Sequence, residues 1–251
     1  MKSLYIAWQD PDTRKWHTVG RLTYDGDLYR FVYTKGAEAS PRFTYLGRMM
    51  DRNKAYLSRT LFPLFANRIL TRSRPEYLDY VHWLGMKEDA EPMQLLARSG
   101  GRRATDQLCV YPHPEPNAQG EMELLFFSNG LRYLDDAEIQ AITHLQPGDE
   151  LHLSPEDDNT HDHFALTLQT ITPIKVGYCP RYLNRDLKRV KEDAPVKVVV
   201  ERINLASPLQ FRLLCKVSFS SQENWALFDT EEHQPLIIKE NQSPILVATA
   251  A

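Results

Sequence analysis

The sequence predicts an α+β protein in two parts, an N-terminal small β-meander with arginine-bearing helices and then a strand-rich half with short helices. Three observations carry this. Aromatic and β-branched runs (LYIAW, WHTVGRL, LYRFVYT) fill residues 3–33, and Asp-Pro-Asp and Asp-Gly-Asp punctuate them as tight turns do. After Ser40-Pro41 the apolar spacing broadens to a helical period, and from QLCVYP onward strand-like sequence returns. The 251 residues suffice for one large domain or two small ones. With 42% hydrophobic, 25% charged and 10% aromatic residues, the chain is an ordinary globular one, which excludes disordered, collagenous and coiled-coil classes.

The elements follow in order. KAYLSRTLFPLFANRIL has helical spacing with Pro63 inside it, which predicts a helix kinked or split there. EYLDYVHWLG predicts a second helix after Pro75 that stops at Gly85, and MQLLAR a third, between Glu91-Pro92 and Ser99-Gly100-Gly101. These helices carry Arg59, Arg68, Arg72, Arg74 and Arg98 beside Leu61, Phe62, Phe65, Ile69 and Trp83. QLCVYP and EMELLFFS predict strands flanking the exposed loop HPEPNAQGE, so a domain boundary is expected between Gly101 and Asp106. DDAEIQAITHL predicts a helix capped by Asp135, Pro147-Gly148-Asp149 a turn, and ELHLS a strand. HFALTLQT and PIKVGYCP alternate as a strand pair, Pro180 opens the basic helix RYLNRDLKRV, and VKVVVERI and FRLLCKVSF supply two more strands. From about Glu231 no periodicity remains and a loose tail is expected. The resulting division is 1–105, 106–205 and a C-terminal strand and tail at 206–251.

The net charge of −3 hides uneven blocks. Arg42 to Arg103 holds twelve Lys/Arg against six acids, Asp135 to Asp162 nine acids and no Lys/Arg, and Arg181 to Arg202 seven Lys/Arg against four acids. Such blocks build either a cationic face or a solvated helix surface. Cys109, Cys179 and Cys215 are isolated, which fits a reducing compartment and buried apolar roles better than disulfides or a four-cysteine zinc site. No run approaches the ~18 apolar residues of a membrane span. Asp10 and Asp12 interrupt the start before a signal-peptide core, so a cytoplasmic protein without membrane association is expected.

Neither GxxxxGK[ST] nor GxGxxG occurs, and GxSxG, HExxH and papain-like cysteine contexts are missing, so hydrolase chemistry has no anchor. Ser99-Gly100-Gly101-Arg102-Arg103 offers flexible amides beside two guanidinium groups. Arg102 and Arg103 are therefore candidate phosphate contacts, with a helix C-cap and solvated turn as the plainer reading. Glu156-Asp157-Asp158-Asn159-Thr160-His161-Asp162-His163 contains metal-ligand types, but neighbours on one segment rarely converge on one ion. A tight turn held by Asn159 and Asp162 is the expected role, with no metal and no cofactor. Gly130-Leu131-Arg132-Tyr133 and Gly177-Tyr178-Cys179-Pro180-Arg181-Tyr182 interleave aromatic and basic residues, the chemistry that stacks a base and meets its phosphate.

Taken in order, GLRY at 130–133, GDELHLSPEDDNTHDHFAL at 148–166 and VGYCPRYL at 176–183 resemble a HIRAN domain. The resemblance implies an OB-like β-barrel that binds DNA and, in helicase-associated members, captures the 3′-hydroxyl end of a single strand. It implies that Arg132 and Tyr133 cradle the terminal nucleotide and that Asp162 accepts the terminal hydroxyl. His161 stands where eukaryotic members often have tyrosine, and Arg181 falls where a basic residue meets the backbone. Lys188 and Arg189 extend that contact along the helix, and Tyr178 belongs to the same aromatic set. The acidic run Glu156 to Asp158 runs against DNA affinity. The first 45 or so residues, with VGRL and the LYRFVYT strand, resemble the N-terminal subdomain of HipA-type kinases without any kinase catalytic segment. An unrelated meander is the alternative.

The functional expectation is a non-enzymatic protein that recognises single-stranded DNA or its 3′ ends in DNA repair, processing or defence, with a helicase, nuclease or toxin as protein partner. The alternative from another class is a protein-interaction regulator of a toxin-antitoxin or phage-defence system. A metal-dependent nuclease built on residues 156–163 is the third reading.

Overall fold

The structure, a computed structural model, describes residues 2–220, 227–237 and 244–247. The strands are β1 (Lys2–Gln9), β2 (Trp16–Tyr24), β3 (Tyr29–Tyr33), β4 (Tyr56–Ser58), β5 (Leu108–Pro112), β6 (Glu121–Phe127), β7 (Glu150–Pro155), β8 (Leu166–Gln169), β9 (Lys175–Tyr178), β10 (Lys197–Ile203), β11 (Leu213–Ser220) and β12 (Ile245–Leu246). The helices are α1 (Pro63–Ala66), α2 (Tyr77–Trp83), α3 (Pro92–Ser99), α4 (Asp136–His144) and α5 (Arg181–Asp193). Two compact units result: residues 1–81, 87–113 and those after 227 form the first, and 82–86 with 114–227 the second.

The first unit is a sheet in the order β12-β4-β3-β2-β1-β5, antiparallel except for the β12–β4 pair. Ile6, Leu22, Phe31, Tyr33, Phe65, Met93 and Leu96 fill its core, where the Tyr33 hydroxyl donates to the Met49 carbonyl (2.7 Å) and accepts from the Leu46 amide (2.6 Å). Burying that oxygen therefore leaves no unpaired polar group. The segment expected as one proline-split helix is different. Tyr56–Ser58 pairs with β3, Phe62 is extended, and the helix proper is the single turn beginning at Pro63. Proline forces the preceding residue out of the helical region and is itself tolerated at a first helical position, so Pro63 starts this helix instead of kinking it. α2 and α3 lie where their signals placed them, with Glu91 and Gln94 capping α3 reciprocally.

Two further elements depart from the expectation. β5 was expected to open the second domain, yet it adds to the free edge of β1, with Tyr5 opposite Tyr111. The segment after Glu231 is not loose in its described part. Leu236 N–H donates to Tyr33 O (2.9 Å), Lys35 N–H donates to Gln234 O (2.9 Å), and β12 extends the sheet beside β4. His233 is buried, with one ring nitrogen 3.0 Å from the Tyr111 hydroxyl and the other 2.6 Å from Thr230 Oγ1. Residues 238–243 and 248–251 of that tail lie outside the described residues. Arg68, one of the helix arginines, is structural: its guanidinium forks onto Asp106 (2.6 and 3.0 Å) and donates to Gly101 O (2.9 Å).

The second unit is an antiparallel sheet in the order β6-β11-β10-β7-β8-β9. It curls until its edges meet. Asn129, two residues beyond β6, exchanges both backbone hydrogen bonds with Tyr178 of β9 at 2.9 Å each. Glycine makes this closure sterically feasible. Gly177 (φ 117°) would bring a Cβ within 2.0 Å of Ser128 Oγ, and Gly130 (φ 77°) within 2.7 Å of the Tyr178 ring. The result is a curled, OB-like half-barrel with short helices, an α+β fold. α5 buries Leu183, Leu187 and Val190 at helical spacing against the sheet, while Arg181, Arg185 and Lys188 lie on its more open side. Cys179 and Cys215 are buried in this unit and burial pushes both thiols up. Among the described residues no helix is long and apolar enough to cross a membrane.

Candidate nucleic-acid interface

The candidate residues gather where the curled sheet closes and along the exposed side of α5. After β6 the chain turns at Gly130 into a single 3-10 turn, Leu131–Tyr133. Leu131 points into the core and Tyr133 outward, 71% exposed. The Arg132 guanidinium lies 4.6 Å from the Tyr133 ring centroid and donates to the Tyr133 hydroxyl. A flat aromatic face and a cation are thereby presented as one exposed unit.

Across the β8–β9 side stands a hydrogen-bonded network. The Tyr178 hydroxyl donates to Glu156 (3.0 and 3.1 Å), and Asn159 Nδ2 donates to the same carboxylate (2.6 Å). Asn159 Oδ1 in turn accepts from the His161 and Asp162 amides (2.9 and 3.0 Å). Asp162 closes the turn by accepting from the Phe164 amide (3.0 Å), and its other oxygen accepts from Asn184 Nδ2 of α5 (2.9 Å). The Arg181 guanidinium approaches that oxygen at 3.7 Å. The Asp162 side chain retains 15% exposure and Arg181 38%, so a partly open carboxylate and a more open guanidinium stand side by side.

The acidic run is largely engaged by this architecture. Lys175 Nζ sits 4.0 Å from Glu156 and 5.4 Å from the Tyr178 ring centroid. Burial works against the Lys175 ammonium, but Tyr178, Glu138 and Glu156 outweigh it and raise its pKa. The Tyr178 hydroxyl is likewise pushed up, by burial first and then by its bond to Glu156. Lys188 pairs with Asp157 at 2.7 Å, and Arg189 meets Asp186 of its own helix at 3.4 Å. Asp157 is 77% exposed, and so open a pair is weak enough for a phosphate to replace the carboxylate. His161 is exposed and contributes its backbone amide to the turn. Among the described residues no three His, Cys, Asp or Glu side chains are grouped to hold a metal ion.

Arg102 and Arg103 belong to the first unit. There the Gly100 amide bonds Leu96 O (3.0 Å), the Gly101 amide meets Ser99 Oγ (3.2 Å), and Gly100 O accepts from Val110 (2.7 Å). The amides expected to cradle a phosphate are consumed in ending α3 and holding β5, which leaves a C-cap. Arg103 is exposed, and the Arg102 guanidinium lies 6.0 Å from the Trp16 ring centroid. Sequence reasoning missed Asn184, which is 3% exposed and orients Asp162 from three residues beyond Arg181. A polar residue directly beside the apolar stripe of Leu183, Leu187 and Val190 was its one legible signal.

Comparison with known proteins finds likeness for part of the chain. Residues 123–222 match the family model described as the HIRAN domain. A protein from Lactobacillus plantarum is similar at 22% identity, with 40% of this chain and 97% of that one covered and a TM-score of 0.32. The HIRAN domain of human HLTF is similar at 18% identity, over 43% of this chain and 86% of that one, with a TM-score of 0.33. No curated protein matches. The family match lies outside the N-terminal meander and lends no support to its resemblance to HipA-type kinases. Residues 123–222, which include the closure of the curled sheet, the Asn159–Asp162 turn and α5, are a HIRAN domain.

Proposed function

We propose that this protein is a non-enzymatic DNA-binding module whose HIRAN domain takes the 3′-hydroxyl end of a single strand. HIRAN domains are known in DNA binding and 3′-end recognition, which supports nucleic-acid binding at the level of the family. The observation that carries the finer reading is the Asp162 carboxylate, fixed by Asn184 and the Phe164 amide beside the Arg181 guanidinium. A carboxylate accepts a hydrogen bond from a terminal hydroxyl and repels a terminal phosphate, and an adjacent arginine suits the phosphate one step back. In this reading Arg132 and Tyr133 stack on and neutralise the terminal nucleotide, while Tyr178 positions the turn through Glu156. His161, exposed beside Asp162, takes the place of a stacking ring, and Lys188 and Arg189 continue the cationic path. The test is the affinity of the full chain for one sequence offered with a 3′-hydroxyl, with a 3′-phosphate and as a circle. Preference for the hydroxyl end, falling as salt rises, is the expected result. Equal affinity for all three would overturn end recognition.

A second reading, a protein-interaction regulator, is favoured by one observation. Ile171 is 73% and Ile174 40% exposed, and Ile174 lines a shallow groove of ≈ 490 Å³ with Ala137, Pro155 and Pro173. Asp135, Glu138, Glu156 and Lys175 also line it, and exposed apolar side chains rimmed by charged ones suit a protein partner.

A further inference from the structure

Outside the residues already assigned, α5 carries one cation that differs from its neighbours. Arg181 faces Asp162, Lys188 faces Asp157, Arg189 meets Asp186, and Lys191 donates to Leu153 O. Arg185 is exposed and, among the described residues, has no carboxylate within ion-pair distance. Its guanidinium lies 6.0 Å from the ring centroid of Phe164. Phe164 is itself 45% exposed, so an aromatic face and a cation without a carboxylate partner are presented to solvent side by side. The Phe164 amide donates to Asp162, so the ring leaves the main chain at the residue that holds the carboxylate of the proposed terminal-hydroxyl site. Four residues separate Arg185 from Arg181, about 6 Å of helix rise, comparable to the step between neighbouring phosphates of an extended single strand.

We propose that Phe164 and Arg185 form a second nucleotide position, in which the base of a nucleotide upstream of the 3′ terminus stacks on Phe164 while Arg185 meets its phosphate. This rests on the end-binding reading and extends it. The terminal site would select the end, and the second position would add affinity without reading sequence, because every base presents a π-face. The occupant is a nucleotide and not an apolar peptide, since the ring is paired with an uncommitted guanidinium that a hydrophobic segment would have to desolvate. The consequence is a length dependence: affinity rises when a 3′-hydroxyl oligonucleotide grows long enough to cover both positions.

The experiment measures affinity of the full chain for 3′-hydroxyl oligothymidylates of two to eight nucleotides, with wild type, Phe164→Ala, Arg185→Gln and Tyr133→Ala. In wild type, affinity should climb with length and then level. Phe164→Ala should weaken the long strands by on the order of tenfold while leaving the dinucleotide unchanged. Arg185→Gln should lower the slope of log affinity against log salt by roughly 0.7, one single-strand phosphate contact. Both substituted side chains are solvent-exposed, and circular dichroism of each variant checks that the fold is retained. If Tyr133→Ala weakens every length but Phe164→Ala and Arg185→Gln weaken none, the second position is refuted and the terminal site stands. If wild type binds no oligonucleotide of the series, or Tyr133→Ala has no effect on any length, the end-binding reading fails and this proposal with it.

Discussion

Replacing Asp162 by asparagine separates a turn cap from an end sensor, because the structure assigns the two carboxylate oxygens different partners. Oδ1 caps the Phe164 amide at 3.0 Å, a bond that an asparagine carbonyl can keep. Oδ2 faces Asn184 Nδ2 at 2.9 Å, so the new amide would set donor against donor. Asn184 can relieve this by turning its own amide, since its Oδ1 is buried and has no hydrogen-bond partner. What is lost is the charge-assisted part of that bond, about 1 kcal/mol. The partly exposed Arg181 contact at 3.7 Å adds ~0–1 kcal/mol. The sum of about 1–2 kcal/mol should lower the melting temperature of this unit by roughly 5 °C. The effect on end preference is larger. One unit charge about 4 Å from a terminal phosphate contributes on the order of 1–4 kcal/mol depending on effective dielectric, tenfold or more in affinity. Asp162→Asn should therefore erase most of the contrast between 3′-hydroxyl and 3′-phosphate strands while Tm falls only modestly. Calorimetry paired with fluorescence anisotropy on the two end types measures both. A lowered Tm with the wild-type end contrast intact would show that the carboxylate serves the turn alone and refute the sensor.

Three other outcomes follow from the same structure. Gly130→Ala places a methyl group 2.7 Å from the Tyr178 ring at a backbone φ of 77° and should cost ~1–3 kcal/mol, read as a lower urea midpoint. Asp106→Ala strands the Arg68 guanidinium, whose side chain is 2% exposed, and should destabilise the first unit by ~3–5 kcal/mol, whereas Arg68→Met paired with Asp106→Leu should recover much of it. Asp10 accepts from Ser40 Oγ, the Thr13 amide and the Asp12 amide, and these bonds lower its pKa to about 2. With the folded value depressed, its stabilisation is present above the ordinary carboxylate range near pH 4 and is lost as pH falls toward 2. Denaturation midpoints measured between those pH values should fall less steeply in Asp10→Asn.

Most elements of the second unit were legible because their signals are local. Asp135 caps α4 with Glu138 answering it three residues on, and Pro180 precedes a helix whose Leu183, Leu187 and Val190 keep one face. The misreadings share a different cause. Tyr56–Ser58 is a strand because β3 and β12 pair with it, and three residues carry too little periodicity to announce that. QLCVYP declared itself a strand but not which sheet it would join, since nothing local distinguishes β1 from β6 as a partner. At the interface, GLRY and the Asn159–Asp162 turn could be located from residue types and order. That Glu156 holds Tyr178 could not, because a carboxylate in an acidic run looks like solvated surface until its partner arrives from another strand. The Phe164–Arg185 pair was invisible for the same reason, as its members are 21 positions apart and meet only through the packing of α5.

The return of the chain to its first sheet has a consequence for how the protein comes into being. Thr18 and His233, which stand 3.4 Å apart through Thr18 Oγ1, are separated by 215 positions, and nearly the whole second unit lies on the chain between them. During synthesis the N-terminal sheet must therefore wait, with the hydroxyls of Thr18 and Tyr111 uncovered, until the ribosome has delivered the entire intervening half. Contacts so distant in sequence close late and slowly. A fragment ending at residue 113 would lack the segment that covers Tyr111 and Thr18. Expression of the first unit should accordingly require a fusion that rejoins residues 1–113 to 228–251 through a short linker, a fusion in which the sealing segment arrives early.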